Sequence, residues 1–269
     1  MKKVLSVQDL SCLGKCSLTV TLPVLSAMGI SCSVLPTAVL STHTAFPNPH
    51  KRSLTEDMVP VCQHWKTIGA SFDAIGIGYL SCPEQAAAVD YLLESFSAFT
   101  VLDPVMGDHG SLYSGITPAH IDALKQLCKK ADVLLPNVTE ACLLTGTTYR
   151  EHADLTFYRR LSDDLKQLGA KNVILTGISP EKGCTGFVTD RGFVYQTVKL
   201  PVSCHGTGDL FSAVFTGGCV LGRTPEDAAM LAARFVEQVL SNTPAQTPFG
   251  MEFETHLGWL HKQTVKYPT

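Results

Sequence analysis

The sequence contains no run of about 18 uninterrupted apolar residues, the length a membrane-spanning helix needs, so no membrane partner is expected. It also lacks a charge excess: 21 Lys and Arg against 24 Asp and Glu leave a formal net charge of −3. That balance gives no electrostatic reason to expect nucleic acid. Ten cysteines are present, at 12, 16, 32, 62, 82, 128, 142, 184, 204 and 219, but none forms a Cys-x-x-Cys pair. Zinc-knuckle and dithiol motifs are therefore excluded, and the cysteines read as buried or incidental reduced thiols. No Gly-x-x-x-x-Gly-Lys-Ser/Thr loop occurs; the fragment Gly14-Lys15-Cys16-Ser17 lacks the upstream glycine. No Gly-x-Gly-x-x-Gly follows the first apolar segment, which argues against nicotinamide binding. The opening apolar run is broken by Gln8 and Asp9, so it reads as a buried strand rather than a signal peptide, and the cytoplasm is the expected compartment. There is no Pro/Gly/Ser linker, internal repeat or low-complexity stretch. Residues 1–269 are expected to form a single domain.

What is present is a core-forming composition, 45% hydrophobic and 17% charged, with an alternating pattern of short strands and helices. Strands are expected near 3–8, 32–40 (interrupted by Pro36), 72–79, 99–105, 132–135 and 172–176, with a hairpin at 184–198. Helices are expected near 18–28, 83–96, 117–127, 140–144 and 154–168, from Asp209 onward, and in a last long helix opened by Thr224-Pro225. Residues 41–52, rich in proline and small polar residues, read as a loop and a candidate flap. Strands alternating with helices predict an α/β fold: a doubly wound, mostly parallel central sheet with helices on both faces.

The pattern centres on His205-Gly206-Thr207-Gly208-Asp209, which runs directly into the apolar segment 210–215. Two glycines permit a tight turn in which successive N–H groups point one way, and the helix start behind them adds partial positive charge. Asp209 at the lip of such an anion site is placed to take a proton from an attacking hydroxyl. The same stretch also reads as an ordinary turn with a first-turn acid. A second argument comes from the strand ends, where a doubly wound sheet binds its ligands. Asp9, His43, Thr44, Tyr79, Asp103, Asp108, Asn137, Glu140 and Thr176 collect there. Asp108 and Glu140 are candidate oxygen donors to Mg²⁺. Asp103-Pro104 also fits a turn, Asn137–Glu140 a capping box, and Tyr79 a core residue.

Three stretches, Asp103-Pro104-Val105-Met106-Gly107-Asp108, Asn137-Val138-Thr139-Glu140 and Gly206-Thr207-Gly208-Asp209, resemble the signature stretches of the ribokinase-like superfamily. Val7-Gln8-Asp9, Ser41-Thr42-His43-Thr44, Gly78-Tyr79 and Gly110-Ser111-Leu112-Tyr113 narrow the resemblance to the pyridoxal kinases, over about residues 3 to 240. The resemblance implies ATP-dependent phosphorylation of the 5′-hydroxymethyl group of pyridoxal, pyridoxine or pyridoxamine. It also implies a homodimer, Mg²⁺ and a monovalent cation such as K⁺. By position, Asp209 would be the base and Gly206, Thr207 and Gly208 the anion hole. Asp103, Asn137, Glu140 and Thr176 would face ATP, Asp108 and Glu140 the metal, and Asp9, Thr44 and Tyr79 the pyridine ring. Three positions depart from the family pattern: Asp9 replaces a common serine, Leu135 a polar residue and Gly177 a small hydroxyl residue. The related hydroxymethylpyrimidine kinases are the nearest rival, but that branch usually carries cysteine where this chain has Asp209. A non-catalytic nucleotide or vitamer sensor is the rival from another class.

Overall fold

A computed structural model describes residues 1–202 and 204–264. In chain order the elements are β1 (Lys3–Leu13), α1 (Leu18–Ala27), β2 (Ser31–Thr42), β3 (Lys51–Ser53), α2 (Thr55–Thr67), β4 (Ala74–Ile77) and α3 (Gln85–Ser95). Next come β5 (Phe99–Leu102), β6 (Gly107–Asp108), β7 (Ser111–Leu112), α4 (Pro118–Cys128), β8 (Val133–Leu134), α5 (Val138–Thr145) and α6 (Leu155–Gln167). The chain continues through β9 (Ile174–Ile178), β10 (Cys184–Thr189), β11 (Val194–Val198), α7 (Thr207–Val220), α8 (Pro225–Leu240) and α9 (Leu257–Thr264).

The central sheet has six strands in the order β3-β2-β1-β4-β5-β8. All its pairings are parallel except β3 on β2. Two parallel bridges, Leu134 to Val173 and Asn137 to Thr176, bring the antiparallel sheet β11-β10-β9 alongside β8. Neighbouring residues on each strand feed opposite cores. Val4, Ala74, Val101, Val133 and Ile174 pack with residues of α1, α7 and α8. Leu5, Ile75, Leu102, Leu134 and Leu175 pack with residues of α2 to α6. A period of two with both faces apolar is what a sheet covered by helices on both sides demands. The fold class expected from the sequence is the one observed.

Several local expectations need correction. Pro36 does not interrupt β2; Gln8 pairs with Pro36 and Leu10 with Val39, so the register slips there instead. The extra residue is in β2, where Thr37 and Ala38 oppose the single residue Asp9, so the bulge directly follows the residue that has no N–H to give. The loop at 41–52 is shorter than expected, because β2 runs to Thr42 and Lys51 and Arg52 pair back onto Leu40 and Val39. Helix α2 escaped the sequence reading because it buries little, with Met58 and Cys62 its buried residues. The two-residue strands β6 and β7 have no periodicity to detect. Finally, α8 is the last long helix, as expected, but a short helix, α9, packs Leu260 into the core beyond it.

Candidate active site

The N-terminus of α7 carries the glycine turn. Gly206 is its N-cap, with φ at +90° in the left-handed region, and offers no side chain to the first-turn N–H groups. Only glycine fits, since a Cβ at 206 would stand 2.3 Å from the Lys15 carbonyl oxygen. Gly208 has no heavy atom within 4 Å of a built Cβ and is exposed. Unpaired N–H groups of a first helical turn facing open space make an anion site. Asp209 follows, half-buried. Burial lifts its carboxyl pKa to about 7, the nearby Asp9 adds to the rise, and a backbone hydrogen bond from Ser17 opposes it. A carboxylate poised near neutrality suits a general base.

Beyond Asp209 lies a group of acids from the ends of β5, β6 and the start of α5. Asp103 and Glu140 are buried, and both carboxyls are held well above their ordinary range, by burial first. The charges that add to the rise are all acidic: Asp209 acts on Asp103, while Asp103 and Asp108 act on Glu140. Asp108 is exposed. The Tyr113 hydroxyl is also pushed up, by burial and then by Glu140, Asp108, Asp209 and Asp103. The capping box expected at α5 is present. Asn137 Oδ1 accepts from Glu140 N (2.9 Å), and Glu140 Oε2 accepts from Asn137 N (2.8 Å). Glu140 Oε1 accepts from Met106 N (3.1 Å), and Asn137 Nδ2 donates to the Gly107 carbonyl (2.8 Å). Thr176 lies in the middle of β9 rather than at the strand end expected from the sequence; half-buried, it binds the Pro136 carbonyl through its N–H. Its neighbour Gly177 has φ at +68°, which explains glycine there better than loss of a hydroxyl does.

Among the described residues no three acidic, histidine or cysteine side chains converge as a ready-made metal cage. The donor set nonetheless fits Mg²⁺, which keeps several waters and takes one or two carboxylates. Buried carboxylates whose charged neighbours are also acidic are a site that a divalent cation would relieve.

On the other side of Asp209, β1 presents Asp9 opposite the bulge of β2, buried at 4% exposure. Its Oδ1 accepts from Ser17 Oγ (2.5 Å) and its Oδ2 from Ser11 Oγ (2.9 Å). Burial raises the Asp9 pKa against these bonds and against Lys51. Tyr79 is buried at the end of β4, with the Lys51 Nζ 5.7 Å from its ring centroid. His43 is buried and its Nε2 lies 2.9 Å from the Pro248 carbonyl, an acceptor, so Nε2 carries the proton. Its ring lies 4.8 Å from that of His205, joining the 43–50 loop to the glycine turn. Thr44, next in the chain, is half-buried.

The sequence-predicted residues thus fall into two groups flanking Asp209: Asp103, Asp108, Asn137, Glu140 and Thr176 on one side, and Asp9, Tyr79 and the His43-Thr44 turn on the other. Reasoning from sequence missed Ser17 and Lys51. Ser17, at φ +49°, links the second group to Asp209: its Oγ binds Asp9 and its backbone Asp209. The Gly14–Ser17 fragment was its only signal. Lys51 was lost inside the stretch read as loop.

A family model described as phosphomethylpyrimidine kinase matches residues 22–253. The crystal structure of a Bacteroides thetaiotaomicron protein described as a phosphomethylpyrimidine kinase, in a form with pyridoxal, resembles this one with a TM-score of 0.90. It is 33% identical, over 96% of this chain and 95% of its own. A pyridoxine/pyridoxal/pyridoxamine kinase of Bordetella bronchiseptica is 29% identical over 261 residues, 89% of each chain. A hydroxymethylpyrimidine/phosphomethylpyrimidine kinase of Haemophilus influenzae is 31% identical over 196 residues, 66% of this chain and 71% of its own.

Proposed function

This chain belongs to the phosphomethylpyrimidine kinase family, and from that premise we propose that it transfers the γ-phosphoryl group of ATP to the 5′-hydroxymethyl group of a vitamin B6 vitamer. The observation that carries the reading is Asp209, a carboxylate with a pKa near 7 at the first turn of an uncapped helix. In that role Asp209 takes the proton from the attacking hydroxyl, while the N–H groups of Gly206, Thr207 and Gly208 receive the charge on the transferring phosphoryl group. Asp103, Asn137, Glu140 and Thr176 line the ATP side, and Asp108 and Glu140 would hold Mg²⁺. When bound, that ion neutralises phosphate charge. Asp9, Thr44 and Tyr79 face the pyridine ring. A monovalent cation such as K⁺, a homodimer, a single domain over 1–269 and a cytoplasmic location complete the proposal.

Supporting the B6 substrate are the pyridoxal found with the Bacteroides relative and the vitamer kinase of Bordetella. The Haemophilus relative favours a second reading, hydroxymethylpyrimidine kinase. Coupled ADP release with Mg-ATP, measured side by side on pyridoxal, pyridoxine, pyridoxamine and hydroxymethylpyrimidine, separates them. Strong turnover of a B6 vitamer is the expected result. Turnover of hydroxymethylpyrimidine alone would replace the substrate, and binding without ADP release would replace the kinase by a sensor.

A further inference from the structure

Lys51 lies on an exposed edge strand, where a lysine ordinarily extends into water and guards the edge. Here it does not. Its Nζ donates to the Ser81 carbonyl at 2.6 Å, lies 3.4 Å from the Tyr79 hydroxyl, and stands over the Tyr79 ring. The anchor itself is fixed. Ser81 N donates to Gln85 Oε1 (2.7 Å), and Gln85 Nε2 donates to the Thr37 carbonyl (2.7 Å). Thr37 Oγ1 in turn donates to the Tyr79 carbonyl (2.8 Å). Ser53 Oγ, two residues from Lys51 on the same strand, bonds Ser81 Oγ at 3.0 Å. A buried polar network therefore holds a cation beside the ring of Tyr79. Asp9 accepts from two serine hydroxyls, bonds that favour its ionised form against the burial that raises its pKa. Asp9 and Lys51 each shift the other's titration, and Asp9 also acts on Tyr79 and Asp209. Across the sheet Lys51 pairs with Leu40, and Leu40 with Ser11, whose hydroxyl binds Asp9. One negative and one positive group thus lie at the same level of the sheet, the positive one over the Tyr79 ring.

We propose that Asp9 and Lys51 form a charge-complementary pair that selects a zwitterionic 3-hydroxypyridine ring over a neutral aminopyrimidine. A 3-hydroxypyridine can move its phenolic proton to the ring nitrogen, giving a pyridinium N–H⁺ and a phenolate oxygen. Asp9 matches the first and Lys51 the second. Hydroxymethylpyrimidine has no such phenol and presents no negative oxygen to Lys51, so its ring gains no ion pair there. A charge-assisted contact open to one ring and closed to the other is a basis for discrimination. Serine at position 9 would supply a neutral hydrogen bond instead. The pair therefore makes ring recognition in this chain electrostatic.

The inference rests on the B6 reading, and its test separates the two. The probes are pyridoxine and 3-O-methylpyridoxine, whose capped oxygen cannot form the zwitterion, assayed on wild type, Lys51→Met and Lys51→Arg. Wild type is expected to prefer pyridoxine. Lys51→Met should lower kcat/KM for pyridoxine about tenfold, with little change for the methyl ether. Lys51→Arg should restore most of the preference. The absorption band of bound pyridoxine, which distinguishes its zwitterionic from its neutral form, gives a readout independent of turnover. Wild type should enrich the zwitterion and Lys51→Met should lose that enrichment. An unchanged ratio and an unchanged band in a folded Lys51→Met protein would overturn the pair while leaving the kinase intact. Absent turnover in wild type with the band behaving as expected would keep the pair and remove the kinase reading.

Discussion

Helices α5 and α7 begin side by side in function but opposite in construction. At α5 the sequence supplies Asn137 and Glu140, and their side chains satisfy the first-turn donors and tie the helix to Met106 and Gly107. At α7 it supplies Gly206, which satisfies nothing, and Gly208, which faces open space. The two helix starts offer the same partial positive charge. One is spent inside the fold, and the other remains for a ligand. The difference separates a terminus that builds the site wall from one that can meet a phosphate.

The largest effect expected is at Asp209. Asp209→Asn keeps the size of the side chain and removes the base, so kcat should fall by ~10²–10⁴ while ATP affinity stays close to wild type. Coupled ADP release and a nucleotide-binding titration check the two halves. If kcat held, the open terminus of α7 would have no claim to the chemistry.

The glycines sharpen the contrast within α7 itself. Gly206→Ala puts a Cβ against the Lys15 carbonyl and strains a residue at φ +90°, so it should destabilise by about 1–3 kcal/mol and lower kcat with it. Gly208→Ala meets no neighbour and should leave thermal stability unchanged while raising the KM for ATP. Equal losses of Tm in the two variants would mean that the turn serves the fold alone.

How much of this was legible follows the same division. The sheet could be read because Val4-Leu5, Val101-Leu102 and Val133-Leu134 feed both cores, and a two-sided apolar strand leaves a plain mark in sequence. The caps at Asn137 and Thr224 were visible because their donors lie within three residues. The glycine turn could be read from its residue types. What could not be read depends on contacts distant in sequence. Lys51 reaches Ser81 across 30 residues, and nothing near either one announces it. The slip at Asp9 arises from a proline on the neighbouring strand. Helix α2 carried too few apolar residues to declare its face.

At α5 the comparison predicts a loss of structure before a loss of chemistry. Glu140→Ala removes the acceptor for Asn137 N and Met106 N, and stranded buried donors cost about 1–3 kcal/mol. Asn137→Ala should cost about 1 kcal/mol as a lost cap. Chemical denaturation of both variants measures this. A Glu140 variant of undiminished stability would place that carboxylate with the ligand rather than with the wall.

The pH dependence tests whether the open terminus carries a cost. Asp209 has a folded pKa of about 7 against an ordinary 3.8, so between those values the folded state binds the extra proton. Stability then falls as pH rises through that window, and the full penalty is present above about pH 7. Activity should move the other way, because only the ionised carboxylate accepts a proton: kcat/KM should rise through a limb near pH 7. Asp209→Asn removes the group, so its Tm should exceed wild type at pH 8 and match it near pH 4. Glu140, also raised, keeps its own downward slope in both proteins, whereas Asp103, whose rise Asp209 feeds, relaxes in the variant, so the difference between the two curves reports Asp209 together with its effect on Asp103. A difference curve flat in pH would mean that Asp209 titrates as an ordinary carboxylate, and that α7 is no less settled than α5.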